Sequence, residues 1–429
     1  MKITHIDAYQ IFDSRGQPTV EAVVRLSSGL EGFGLVPSGA STGQFEAIEL
    51  RDNNLDRFLG KSVFQAVQNI QELIAPVVVG LDVEEQALID RRMIELDGTS
   101  NKSRLGANAI LGVSLAVANA AAKQRNLPVY ASLEYPYPRE NLIPLPEIQL
   151  VGGGAHAQWR TDVQDFLLIA NGADTYEQTL EATYCIYMQA MELLKQRGLL
   201  AGIADEGGFW PVFNTHEEIF EFVLEAIQQA GYQPGKDVSI SLDIAASDFY
   251  RDGKYHFRLE ERSYSSEEFL QLMLDWCARY PIISIEDPFA DTDHEPWKAF
   301  VAKIGKQIQV IGDDLFTTNI QRIRYGIEHT LANSVLVKLN QIGSVTETID
   351  AIKVTQDAGW LPVVSARSGE TEDAFISHLA VATNAGQLKV GAFARSERMV
   401  KWNELIRIQR HLAGKAQFIG ANIYKRLKQ

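Results

Sequence analysis

The chain has 429 residues and 46% hydrophobic content, more than one ordinary domain needs and enough for two cores. A formal net charge of −15 and a pI near 5.1 exclude nucleic acid and anionic membrane as partners, because both demand positive surface. An anionic substrate stays compatible only where a metal or local Lys and Arg reverse the field.

In chain order, residues 3–12, 20–26 and 31–36 alternate apolar and polar side chains or run β-branched, which predicts a small antiparallel sheet. A Ser- and Gly-rich loop, Pro37 to Gly43, precedes helical patterns near 62–78, 84–95 and 106–125. The last of these is rich in Gly and Ala, so a neighbour can approach its backbone closely. Five prolines between Leu127 and Pro146 defeat both helix and central strand and place a domain boundary there, with residues 1–135 an α+β unit and 136–429 a second unit. Beyond it strands and helices alternate, including a helix over 177–197 and capping-box signals at Ser265/Glu268 and Ser344/Glu347. Cys185 and Cys277 lie within helical patterns and read as core thiols of a reducing compartment. With no signal peptide or membrane-length apolar run, the expected location is the cytoplasm.

Four apolar runs each close on a charge: Asp243 after VSISL, Glu286 after IISI, Asp313 after QVIG and Lys338 after SVLV, spaced 43, 27 and 25 residues apart. Arg367 and Lys389 continue the series. Apolar runs of this kind are buried parallel strands whose last side chain emerges into a site. The rhythm predicts an α/β fold, a (β/α)8 TIM-type barrel with its chemistry at the C-terminal mouth. Three hard carboxylates from separate strands suit Mg²⁺, and no His/Cys set competes for zinc. A single strand-end acid is more often an N-cap or surface charge; three in rhythm with a following lysine outweigh that reading.

Lys338 ends an apolar run, where desolvation and a nearby cationic metal would lower its pKa and make it a general base for a carbon-bound proton. Glu206, beside the Gly207-Gly208 turn, is the candidate opposing acid. Arg367 and Ser368 offer a guanidinium and a hydroxyl for phosphate or carboxylate. Gly152-Gly153-Gly154-Ala155-His156 has the composition of a lid with a histidine at its tip. Neither GxGxxG nor a P-loop is present, so nucleotide binding has no motif support.

Taken together, FDSRG (12–16), PSGASTG (37–43), LDGTSNKSRLGANAILGVSLA (96–116), DEGG (205–208), SIEDP (284–288), GDDLF (312–316), KLNQIGSVTET (338–348) and RSGETEDAF (367–375) resemble the enolase family. Enolases interconvert 2-phosphoglycerate and phosphoenolpyruvate, with Mg²⁺ and a Lys or His base. The resemblance implies a modified barrel behind an N-terminal α+β domain, in a homodimer or higher homo-oligomer. It implies Asp243, Glu286 and Asp313 on a first Mg²⁺, and Ser41 on a second that arrives with substrate. Lys338 would be the base, Glu206 the acid with Asp165 beside it, and His156, Gln164, Arg367, Ser368 and Lys389 would bind the small phosphorylated carboxylic acid.

The resemblance breaks beside the substrate. The family's Ser-His-Arg reads Ser365-Ala366-Arg367, its Gln-Glu-Phe reads Gln164-Asp165-Phe166, its Asn-Gly-Gly reads Gly152-Gly153-Gly154, and the lid continues Gln158-Trp159-Arg160. Loss of an imidazole at position 366 should cost on the order of 10²-fold. An alternative is therefore a relative with altered substrate, of the carboxyphosphonoenolpyruvate synthase type in phosphonate biosynthesis, with Trp159 or Arg160 contacting it. A third possibility is a non-catalytic binding protein on the same scaffold. The C-terminal lysine through which some enolases bind partners is displaced here by Arg426-Leu427-Lys428-Gln429.

Overall fold

The computed structural model describes residues 1–40 and 43–428. Strands β1 (Ile3–Phe12), β2 (Pro18–Leu26) and β3 (Glu31–Leu35) form the antiparallel sheet expected at the N-terminus. Helices α1 (Gln86–Asp97) and α2 (Ala107–Gln124) follow, and α2 lies directly on β2 and β3. That approach needs glycine: a Cβ on Gly34 would stand 2.0 Å from the Gly112 carbonyl oxygen, and one on Gly32 2.1 Å from that of Ala116. The helix expected over 62–78 is interrupted by a π turn at Ile70–Ile74.

Eight strands then close a barrel: β4 (Leu145–Gly152), β5 (Asp165–Ile169), β6 (Ser239–Asp243), β7 (Ile282–Glu286), β8 (Gln309–Gly312), β9 (Ser334–Val337), β10 (Leu361–Ser365) and β11 (Gln387–Ala392). Neighbours in sequence are neighbours in the wall, and β11 closes on β4. All pairs are parallel except those of β5, which runs antiparallel to both β4 and β6. A reversed strand presents its first residue, not its last, at the mouth: Asp165 pairs with Asp243. The site residues at that strand therefore escape a rule that looks for charges at strand ends.

Helices α3 (Tyr176–Gln196), α4 (His216–Gln229), α5 (Ser266–Arg279), α6 (His294–Ile304), α7 (Ile320–His329), α8 (Val345–Asp357), α9 (Phe375–Ala382) and α10 (Ser396–His411) complete the α/β layers. Ser265 and Glu268 make the reciprocal capping box at α5. At α8 the Ser344 side chain accepts from the Glu347 N–H, and its hydroxyl donates to the Glu347 carboxylate. Cys185 and Cys277 are free and half-buried; Cys277 packs against the edge of the core, and burial pushes its thiol up to about 12. Among the described residues no helix is long and apolar enough to cross a membrane.

Candidate active site

The strand ends deliver their charges to one place. Asp243 and Glu286 are the last residues of β6 and β7, while Asp313 and Lys338 follow β8 and β9 by one residue. Arg367 follows β10 by two. Lys389 differs from expectation: it lies within β11, two residues after its start, so its ammonium rises from inside the barrel. A cavity with about 340 Å³ of empty space is lined by His156, Gln164, Asp165, Glu206, Asp243, Lys338, Ala366, Arg367, Ser368 and Lys389, among others. Ser41 lies outside the described residues.

Lys389 Nζ donates to Asp243 Oδ2 and Glu286 Oε2, each at 2.7 Å, and stands 3.8 Å from Asp165 Oδ2. Lys338 Nζ donates to Asp313 Oδ2 at 2.5 Å. Gln164 Nε2 donates to Asp243 Oδ2, and Gln341 Nε2 to Asp313 Oδ1. Each ligand candidate is thus held by a neighbour before any ion arrives. Burial pushes the Glu286 carboxyl well above its ordinary value, with repulsion from Asp243 and Asp313 adding and Lys389 opposing. Burial also acts to lower the pKa of Lys338, but the Asp313 carboxylate more than offsets it, and the ammonium is raised above its ordinary value. Desolvation by itself therefore does not lower Lys338, because an anion at 2.5 Å outweighs it.

A divalent cation fits these donors. Glu286 Oε1 is buried with no hydrogen-bond partner, a carboxylate oxygen facing an acid cluster that repels it. All the donors are hard oxygens, as Mg²⁺ requires. The closest groupings among the described residues are Asp287–Asp313–Asp314 and His156–Asp165–Glu206, whose ligand atoms lie within 4.8 Å of one another. Asp243, Glu286 and Asp313 are not drawn that tightly, since Lys389 stands between the first two and Lys338 caps the third.

Across the mouth, His156 Nδ1 lies 3.4 Å from Glu206 Oε1, an ion-pair contact without good hydrogen-bond geometry. Burial opposes charge on both groups. Their mutual attraction prevails, holding Glu206 down to about 2 and raising His156 above its ordinary value. Asp165 is pushed up to about 7 by burial and by the Glu206 charge; Gln149 Nε2 donates to it. The stabilising contribution of Glu206 is present above its unfolded value near 4.5 and is lost as pH falls towards 2. That of His156 is complete below about 6.5 and is lost as pH rises through its elevated value. Urea unfolding of the wild type against His156→Gln should accordingly show its largest gap between about pH 4.5 and 6.5. A gap that does not change between pH 5 and 9 contradicts the pairing.

The end of the cavity at Arg367 and Ser368 is tied to the N-terminal part of the chain. Arg367 donates to both oxygens of Glu46 at 3.0 and 3.2 Å, and to Asn340 Oδ1 at 2.8 Å. Ser368 Oγ accepts from the Ala40 N–H at 2.7 Å, and Ser38 exchanges backbone hydrogen bonds with Gly369. Arg398, fully buried on α10, donates to the carbonyls of Arg367 and Ser368. Glu46, Gln341, Asn340, Asp287 and Arg398 escaped the sequence reading because none ends an apolar run.

A family model for the enolase C-terminal TIM barrel domain matches residues 140–427, and one for the enolase N-terminal domain matches residues 3–133. A curated relative, "Enolase 1" of Desulfitobacterium hafniense (strain Y51), is 50% identical over 426 residues, covering 99% of this chain and 97% of its own. The chain belongs to the enolase family.

Within that enolase frame the altered positions separate into two groups. Ala366 and Asp165 line the cavity, and the Ala366 N–H donates to the Lys389 carbonyl at 2.9 Å. Trp159 and Arg160 do not line it. The Arg258 guanidinium lies 4.7 Å from the Trp159 ring centroid and that of Arg160 lies 5.2 Å from Trp210, and both Trp159 and Arg160 are half-buried. Gln158 and Trp159 both have positive φ, and of residues 152–160 His156 is the one that lines the cavity.

Proposed function

We propose that this enolase-family protein is a magnesium-dependent hydro-lyase that removes the C2 proton of 2-phosphoglycerate and expels the C3 hydroxyl as water, giving phosphoenolpyruvate. The observation that carries the reading is the placement of two proton-transfer groups in one cavity. Lys338 follows β9, four strands around the wall from β5, and Glu206 lies in the connection leaving β5. A base and an acid on opposite sides of a bound acid suit an elimination.

Lys338 takes the C2 proton; Glu206, ionised beside a protonated His156, receives the imidazolium proton and passes it to the leaving hydroxyl, while Asp165 shapes the charge beside it. Arg367 and Ser368 hold phosphate, with Gln164 and His156 completing the pocket, and Lys389 receives the carboxylate. Asp243, Glu286 and Asp313 would hold Mg²⁺, which supplies electrostatic stabilisation of the dianion formed when a proton is taken from beside a carboxylate. A second Mg²⁺, with Ser41 among its ligands, belongs to the same reading. An Asp313 carboxylate shared with a cation would hold Lys338 charged less strongly, while burial and the nearby Arg367 charge act to lower the lysine. Gly154, Trp159 and Arg160 belong to the lid that carries His156 into the cavity. A homo-oligomer is the expected assembly.

Purified protein given 2-phosphoglycerate and Mg²⁺ should develop the ultraviolet absorbance of the enol product. The signal should vanish with EDTA and return with excess Mg²⁺. No product at micromolar enzyme overturns the reading. The altered-chemistry and silent-scaffold alternatives draw no support from the family relationship.

A further inference from the structure

A second carboxylate lies in the barrel below the acid cluster, and no step above uses it. Glu147 is the third residue of β4, a strand whose eight residues are all buried, and its own exposure is 0%. It pairs in register with Lys389 of β11. Its Oε2 accepts from Ser241 Oγ of β6 at 3.2 Å and its Oε1 from Gln387 Nε2 of β11 at 3.0 Å. Contacts to both flanking sides of the wall place the carboxyl in the barrel interior. Gln387 also bonds Gln309, which donates to Ser334 Oγ at 2.7 Å, so the layer around Glu147 is otherwise neutral.

A buried acid in a neutral layer is costly unless it serves something. Burial pushes Glu147 up to about 7, with the Lys389 charge as the largest opposing influence. Lys389 in turn relies on Asp243 and Glu286, the same carboxylates proposed as metal ligands. When those oxygens turn to a divalent cation, the ammonium loses much of its counter-charge and stands beside a second positive charge. The anions left to balance it are then Asp165, 3.8 Å away, and Glu147 in the row beside it.

We infer that Glu147 is a positioning residue: from the row beside Lys389 its carboxylate supplies the counter-charge that keeps this ammonium in place once Asp243 and Glu286 bind a metal. This rests on the metal and Lys389 roles proposed above.

Glu147→Gln keeps the shape and both hydrogen-bond partners, because an amide can accept from Gln387 and donate to the Ser241 hydroxyl. Calorimetric titration of Mg²⁺ into the full chain without substrate, at pH 8.5 where Glu147 is ionised, should show affinity weakened on the order of tenfold, the effect of one interior unit charge at an effective dielectric near 20. Glu147→Asp should recover most of the loss. In a Lys389→Met background Glu147→Gln should change Mg²⁺ affinity less than threefold. Unchanged affinity in Glu147→Gln, or an equal loss without Lys389, overturns the inference; a shift in thermal midpoint alone marks a merely structural acid and also overturns it. Because the readout is metal binding, failure here is distinct from failure of the wild type to act on 2-phosphoglycerate.

Discussion

Lys338→Met should abolish turnover and C2 proton exchange together, with a loss on the order of 10⁴-fold in kcat. Glu206→Gln should lose product formation by a similar factor yet retain exchange of the C2 proton with deuterated solvent. The difference follows from position: Lys338 closes β9 against Asp313, whereas Glu206 stands with His156 at the connection leaving β5. A base acts before the leaving group departs, so removing the acid leaves the first half-reaction running. Nuclear magnetic resonance of 2-phosphoglycerate in D₂O reads exchange, and absorbance reads elimination. Exchange that survives Lys338→Met would remove the lysine from the role.

The second large effect concerns stability. Arg367 and Glu46 are 4% and 8% exposed, and the guanidinium meets both carboxylate oxygens. Desolvation opposes charge on Arg367, but Glu46 more than compensates and raises it. Arg367→Met leaves Glu46 as a buried anion with its main partner gone, at a cost of roughly 3–5 kcal/mol. Urea unfolding should show this loss even without substrate, and the double variant with Glu46→Gln should recover most of it. A loss below about 1 kcal/mol, or no recovery, shows that the pair is not the tie between the two domains.

Much of the site was visible in the chain because a parallel strand must surface at its C-terminal end. Asp243, Glu286, Asp313 and Lys338 close apolar runs, and each reaches the mouth within one residue of its strand. Asp165 obeys the opposite rule, since β5 is reversed and its first residue faces the mouth. Composition gives no sign of that reversal: Asp165 opens an apolar run as an N-terminal charge on any strand might. Only the family resemblance reached it. Glu46, Gln341 and Arg398 were out of reach for another reason. Their partners lie 321, 28 and 31 residues away, and nothing local marks such a pairing.

The sequence by itself determined the barrel, the acid triad and the lysine, because burial of alternating segments and the emergence of charges at their ends are properties of neighbouring residues. The tertiary structure decided the charge states. Whether Lys338 is held as an ammonium by Asp313, whether Glu206 stays ionised beside His156, and whether Glu147 supports Lys389 depend on distances across the barrel between residues remote in the chain. Electrostatic energy falls with separation and grows as water is excluded, and both quantities exist only once the strands have closed.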